Sequence, residues 1–146
     1  MKKLILILLF LIFNFTIGLA QWQQVHNSGA VAFTSSGSNI FAGNVTGVYI
    51  STNDGLNWSQ TALNNQNIYS LTVSGSNILA GGLGIFVSSN MGSNWTQTFS
   101  GQTVYSLASS PGYIFFFSSS GVYVSTNNGS NWTQSSLNNR VINALA

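Results

Sequence analysis

Few side chains in this sequence can do acid–base or nucleophilic work. There is one acidic residue, Asp54, one histidine, His26, and no cysteine. Glycoside hydrolysis ordinarily uses two carboxylates facing the scissile bond, and the chain does not hold two. His26 and Asp54 could orient a serine nucleophile, but no serine sits in a nucleophile-elbow pattern, and the two partners fall in different loops. One histidine with one aspartate cannot furnish the ligand set of an ordinary zinc or calcium site. Gly81-Gly82-Leu83-Gly84 has the glycines of a phosphate loop but neither the Walker lysine nor the G-x-G-x-x-G spacing. A turn between strands is the simpler reading. Asp54 itself lies inside a turn phrase, where a turn residue is expected. No catalytic residue, metal or cofactor is therefore expected.

The first twenty residues carry a different message. Lys2 and Lys3 precede an unbroken apolar run over residues 4–13. Gly18 and Ala20 then put small residues where a signal peptidase reads, and polar Gln21 follows. This is the pattern of a cleaved secretory signal peptide. A membrane span needs roughly 20 apolar residues, and Asn14 and Thr16 interrupt the run. The expectation is a leader over 1–20 and a mature chain over 21–146, secreted, periplasmic or at the cell surface. Without a cysteine there is no lipid anchor and no disulfide, so no membrane association is expected after cleavage. Of the three basic residues two leave with the leader, so Arg140 against Asp54 brings the mature charge to zero. A basic patch cannot be built, and nucleic acid is not an expected partner.

Everything else in the chain is a repeat. "STNDGLNWSQ" begins at Ser51, "SSNMGSNWTQ" at Ser88 and "STNNGSNWTQ" at Ser125, an interval of 37 in both cases. "SGSNIFAG" from Ser36 matches "SGSNILAG" from Ser74. A strand pattern precedes each phrase, and another follows after a loop. A fixed period of this size signals a repeat architecture. Each unit reads as four strands; in the second they are A over 68–73, B over 77–80, C over 85–88 and D over 95–99. Val, Ile, Tyr, Phe and Thr fill the strands, and Gly, Ser and Asn fill the turns. The recurring phrase is then the corner between C and D. Its Asn/Asp-Gly supplies positive φ, its Asn bonds to backbone two residues on, and its Trp opens strand D as a plug between units, worth about 3 kcal/mol. A four-stranded unit of about 40 residues is a propeller blade, so the expected fold is an all-β propeller with blades near 30–62, 67–99 and 103–136.

The pattern Ser-x-Asn-x-Gly-x-x-Trp resembles the Asp-box, or BNR repeat, of sialidases, sortilin-type receptors and photosystem II assembly factors. The matching residues are Ser51, Asn53, Gly55 and Trp58; Ser88, Asn90, Gly92 and Trp95; and Ser125, Asn127, Gly129 and Trp132. The resemblance implies a propeller of antiparallel blades in which the box is structural and lies away from the active face. That family usually has Asp at the third position, where this chain has Asn. Sialidase chemistry would further require several arginines, a Tyr–Glu pair and an acidic proton donor, which this sequence does not supply.

Residues 21–25 read like a lone strand D and 141–146 like a lone strand A, which fits the N-terminal part of a longer propeller whose further blades would be partners. The B–C and D–A loops should form the ligand face, with Asn44, Thr46, Asn64, Asn65, Gln66 and Arg140 as candidate contacts for a protein or carbohydrate. N-x-Ser/Thr strings start at Asn44, Asn57, Asn94, Asn128 and Asn131, as expected in Ser- and Asn-rich sequence. Phe115-Phe116-Phe117 breaks the blade pattern, with Phe117 in the place of Ala42 and Ala80. It is expected either to fill the core or to project toward the channel. The function expected is a non-catalytic binding or scaffold module. The alternative is the first half of an exo-acting, sialidase-like glycosidase with its catalytic groups further along.

Overall fold

The computed structural model describes residues 29–138. The leader, Trp22, His26, the strands expected at 21–25 and 141–146, and Arg140 lie outside the described residues. Short runs of β-branched and aromatic residues between Gly- and Ser-containing turns form ten antiparallel strands. They are β1 (Ala32–Ser36), β2 (Asn39–Asn44), β3 (Gly47–Ser51), β4 (Ser59–Asn64), β5 (Ser70–Ser74), β6 (Asn77–Ser88), β7 (Thr96–Ser110), β8 (Tyr113–Ser118), β9 (Gly121–Ser125) and β10 (Thr133–Asn138).

β1 to β4 pair in sequence order as the first four-stranded unit. The second and third units merge into the order β10-β9-β8-β7-β6-β5, because β6 and β7 each carry two ladders. Residues 77–81 of β6 pair with β5, and 83–87 pair with the first part of β7. Residues 104–110 of β7 then pair with β8. Strands B and C of the second unit, expected as separate, therefore form one element, since Leu83 in the turn pairs with Thr103. Strand D of the second unit likewise continues into strand A of the third, through Gly101 at φ 86.

The interval of 37 survives in the register. Tyr49 faces Gln60, Phe86 faces Gln97 and Tyr123 faces Gln134. On the inner ladders Phe33 faces Ala42, Leu71 faces Ala80 and Leu107 faces Phe116. The last pairing corrects one expectation. Phe116, not Phe117, occupies the place of Ala42 and Ala80, and Phe117 occupies that of Gly43 and Gly81. The register is anchored one residue earlier than the triple Phe suggests, by Ile40 and Ile114 opposite Ser51 and Ser125.

Burial lies between units. Phe41, Val48 and Leu63 of the first unit join Ile68, Leu71, Ile78, Ala80 and Phe86 of the second. Leu79 and Ile85 of the second join Val104, Leu107, Ile114 and Phe116 of the third. Each sheet thus uses alternate residues on both faces, one face per neighbour.

The repeated corner has the same wiring three times. Ser51 Oγ donates to Asn53 Oδ1 (3.1 Å) and accepts from the Gly55 amide (2.9 Å). Asn53 Oδ1 also accepts from the Asn57 amide at 2.9 Å. Ser88 with Asn90, and Ser125 with Asn127, repeat these bonds. The Asn side chain therefore closes the corner four residues on, not two. Only an acceptor oxygen is used, which Asn has as well as Asp. The residues before the glycines, Asp54, Met91 and Asn128, sit at φ 58, 55 and 57. Asp and Asn tolerate this region and Met does not. Met91→Asn is therefore expected to stabilise the chain by about 0.5–1 kcal/mol, read as a raised denaturation midpoint.

Candidate functional site

Antiparallel connection puts the corners and the A–B turns on one face, and the B–C turns and D–A crossings on the other. The corner face is taken up by contacts between units. The Gly92 carbonyl accepts from the Ala62 amide of the preceding unit (3.0 Å), and Asn77 Nδ2 donates to the Asn128 carbonyl (3.3 Å). The three Trp side chains are half-buried, not fully enclosed as expected. Trp95 lies on the first cluster and donates to the Gly92 carbonyl (3.2 Å), while Trp132 lies on the second and donates to Thr98 Oγ1 (3.2 Å). Between the second and third units a shallow cleft opens beside Val73, Ser109, Pro111 and Asn128. Two of its lining residues are joined by the bond from Ser109 Oγ to the Val73 carbonyl (2.7 Å).

On the opposite face the candidate contacts divide. Asn44 is buried, and its Oδ1 accepts from the Thr46 amide and hydroxyl (both 2.8 Å). Thr46 Oγ1 also bonds Tyr49 Oη at 2.9 Å. These two hold the B–C turn together, with Asn44 buried and Thr46 half-buried. Asn64 and Asn65 are exposed and bonded to one another, and Gln66 is half-buried. A feature that sequence reading missed recurs beside them. Gln60, Gln97 and Gln134 donate to the turn carbonyls of Thr46 (3.0 Å), Leu83 (3.0 Å) and Ser120 (2.6 Å). The signal was present, since the Gln ends all three copies of the repeated phrase.

What remains open to a partner lies further in, on the innermost strands. Val31, Tyr69 and Tyr105 hold matching positions in the three units, and all are exposed. The Tyr69 and Tyr105 rings stand 6.1 Å apart at 47°, and the buried Phe117 ring backs Tyr105 at 6.1 Å. Amides frame it. Asn67 Nδ2 donates to Tyr69 Oη (2.8 Å), and Gln102 accepts from Ser118 Oγ (2.6 Å) while donating to Tyr123 Oη (3.3 Å). Spaced rings with amides between them suit an extended ligand with a flat face and hydrogen-bonding edges. The spacing of strand A gave Tyr69 and Tyr105 as repeat members, but no sequence signal told their exposed face from their buried neighbours. Among the described residues, no three His, Cys, Asp or Glu side chains gather as a metal would require.

Comparison with protein families and with curated proteins finds no match. Solved structures do match. An ancestral GH74 enzyme is similar at a TM-score of 0.64 and 26% identity, over 72% of this chain and 18% of its own. The computationally designed Ika4 protein is similar at a TM-score of 0.65 and 12% identity, over 84% of this chain and 82% of its own. YCF48, solved bound to D1 peptide, is similar at a TM-score of 0.59 and 13% identity, over 73% of this chain and 40% of its own. This chain thus spans under a fifth of the GH74 enzyme and under half of YCF48. The ladders, the seams and these likenesses agree: the chain is all-β with the β-propeller fold, and its ring is not closed among the described residues.

Proposed function

We propose that the protein is an exported, non-catalytic binding module whose inner rim receives an extended segment of a partner protein. The observation that carries this reading is the Tyr69–Tyr105 row with its framing amides Asn67 and Gln102. The likeness to YCF48, a protein solved with a peptide bound, supports a peptide over other ligands. The leader pattern supports export, and the corner wiring supports reading the repeat as an Asp-box whose role is structural. A glycosidase reading has one observation in its favour, the likeness to the GH74 enzyme. It would place the acids outside this stretch, and the rim would then be a sugar platform.

Selection of a random peptide library on the full chain tests the proposal. Recovered peptides are expected to lose roughly tenfold or more in affinity with Tyr105→Ala, the usual effect of truncating an interface aromatic. Because Tyr105 is half-exposed, the denaturation midpoint should hardly move. Binding indifferent to both Tyr69→Ala and Tyr105→Ala would overturn the rim as the site. Binding of neutral oligosaccharides that depends on the same tyrosines, with no peptide recovered, would favour the glycosidase reading.

A further inference from the structure

The inner rim offers aromatic surface without charge. Tyr69 and Tyr105 are 40% and 51% exposed, with ring centroids 6.1 Å apart. Both are held in place. Asn67 Nδ2 donates to Tyr69 Oη, and the buried Phe117 ring lies 6.1 Å from Tyr105. Gln102 is likewise fixed, between Ser118 and Tyr123. Side chains already ordered lose little freedom when a ligand arrives. Among the described residues the only charged side chain is Asp54, which belongs to the first corner. No ion pair with a described residue of the rim can therefore select the ligand.

The strands decide the direction of a bound segment. β5 and residues 104–110 of β7 are the inner strands of the second and third units, and they pair with β6 and β8, not with one another. Tyr69 directly precedes β5, and Tyr105 lies in β7. A segment touching both rings runs across these strands, from unit to unit, so it cannot lie along either as an added strand. Its peptide groups meet no ladder, and each N–H buried without an acceptor weakens binding. Proline has no N–H. A polyproline II chain makes no internal hydrogen bonds and docks on aromatic-lined surfaces. At a rise of about 3.1 Å per residue, two of its residues span about 6.2 Å, close to the 6.1 Å between the rings. Its carbonyls need donors. The Tyr69 hydroxyl accepts from Asn67 Nδ2 and so keeps its proton for one of them.

We propose, on the reading of the rim as a peptide site, that the segment it receives is proline-rich and bound in the polyproline II conformation. Its pyrrolidine rings lie against Tyr69 and Tyr105, and one of its carbonyls accepts from the Tyr69 hydroxyl. Recognition rests on flat apolar contact and on the missing N–H groups, so the contacting part of the segment is uncharged. Such a segment is extended before it binds, which keeps the ordering cost low.

Sequencing the peptides that the full chain recovers from a random library tests this, and they are expected to be enriched in proline. Replacing their prolines by alanine is expected to weaken binding at least about tenfold, since the preformed extended chain and the ring contacts are both lost. Tyr69→Phe keeps the ring and removes the donor, and is expected to weaken binding about threefold or more. Tyr69 is exposed, so circular dichroism should be unchanged. Recovered peptides that need both tyrosines but carry no excess of proline would overturn the proline-rich segment and leave the rim standing as a peptide site. Proline-rich peptides whose alanine versions bind equally well would do the same. Proline-rich peptides that bind regardless of Tyr69→Ala and Tyr105→Ala would overturn the rim as well, as would recovery of no peptide.

Discussion

Phe116→Ala is expected to cost about 4 kcal/mol, the middle of the range for a buried aromatic. The ring is fully buried. It stacks on Tyr123 at 4.6 Å and 4°, meets Phe99 at 4.7 Å, and takes the Trp132 ring edge-on at 4.8 Å. Alanine is the native residue at the matching positions Ala42 and Ala80, yet it would not be tolerated here. At Phe116 the site is lined by three rings that cannot all move inward. The cavity left behind and the lost ring contacts both add to the transfer term. Urea titration should show the midpoint falling with an unchanged slope. A loss under about 1 kcal/mol would mean that the second seam closes over the gap, and that its aromatic cluster is not fixed in place.

The architecture was legible because the chain repeats itself where geometry is most demanding. Three copies of one corner at one interval leave little choice about strand order, and Gly55, Gly92 and Gly129 fall where positive φ is required. The sequence was less informative wherever the partner of a side chain lies in another unit. Gln60, Gln97 and Gln134 recur as plainly as the Trp, but nothing local says that they reach back to the B–C turn, fourteen residues away. Asn44 looks like an exposed loop amide, and only the ladder shows that its side chain turns inward to fold its own turn. The triple Phe misled by one residue because an apolar run has no phase of its own; the strand pairing supplies it. The half-burial of Trp95 and Trp132 follows from a corner that lies at the outer edge of the seam, a fact about stacking that spacing alone does not contain. For the site, the repeat placed Tyr69 and Tyr105 in matching positions, but their neighbourhood depends on how the inner strands converge.

Substitution of the three corner glycines by alanine tests the seam most directly. All three sit in the same strained region, at φ 83, 84 and 81, so each should lose a common 1–2 kcal/mol, roughly, for forcing a side chain there. Their surroundings differ. A methyl at Gly92 would come within 2.7 Å of Thr61 Cγ2 and 2.9 Å of its Cβ, close to the backbone of the preceding unit. At Gly129 it would meet Leu79 Cδ2 at 2.8 Å, the far end of a side chain that can shift. At Gly55 the nearest described atom is Trp58 Cζ2 at 3.8 Å, an ordinary contact. Overpacking of a tight contact adds about 1–3 kcal/mol. Denaturant titration should therefore rank the losses Gly92→Ala above Gly129→Ala above Gly55→Ala, with Gly92→Ala reaching about 3 kcal/mol or more. Equal losses at Gly55 and Gly92 would contradict the account, for they would mean that the corner of the second unit does not rest on the first.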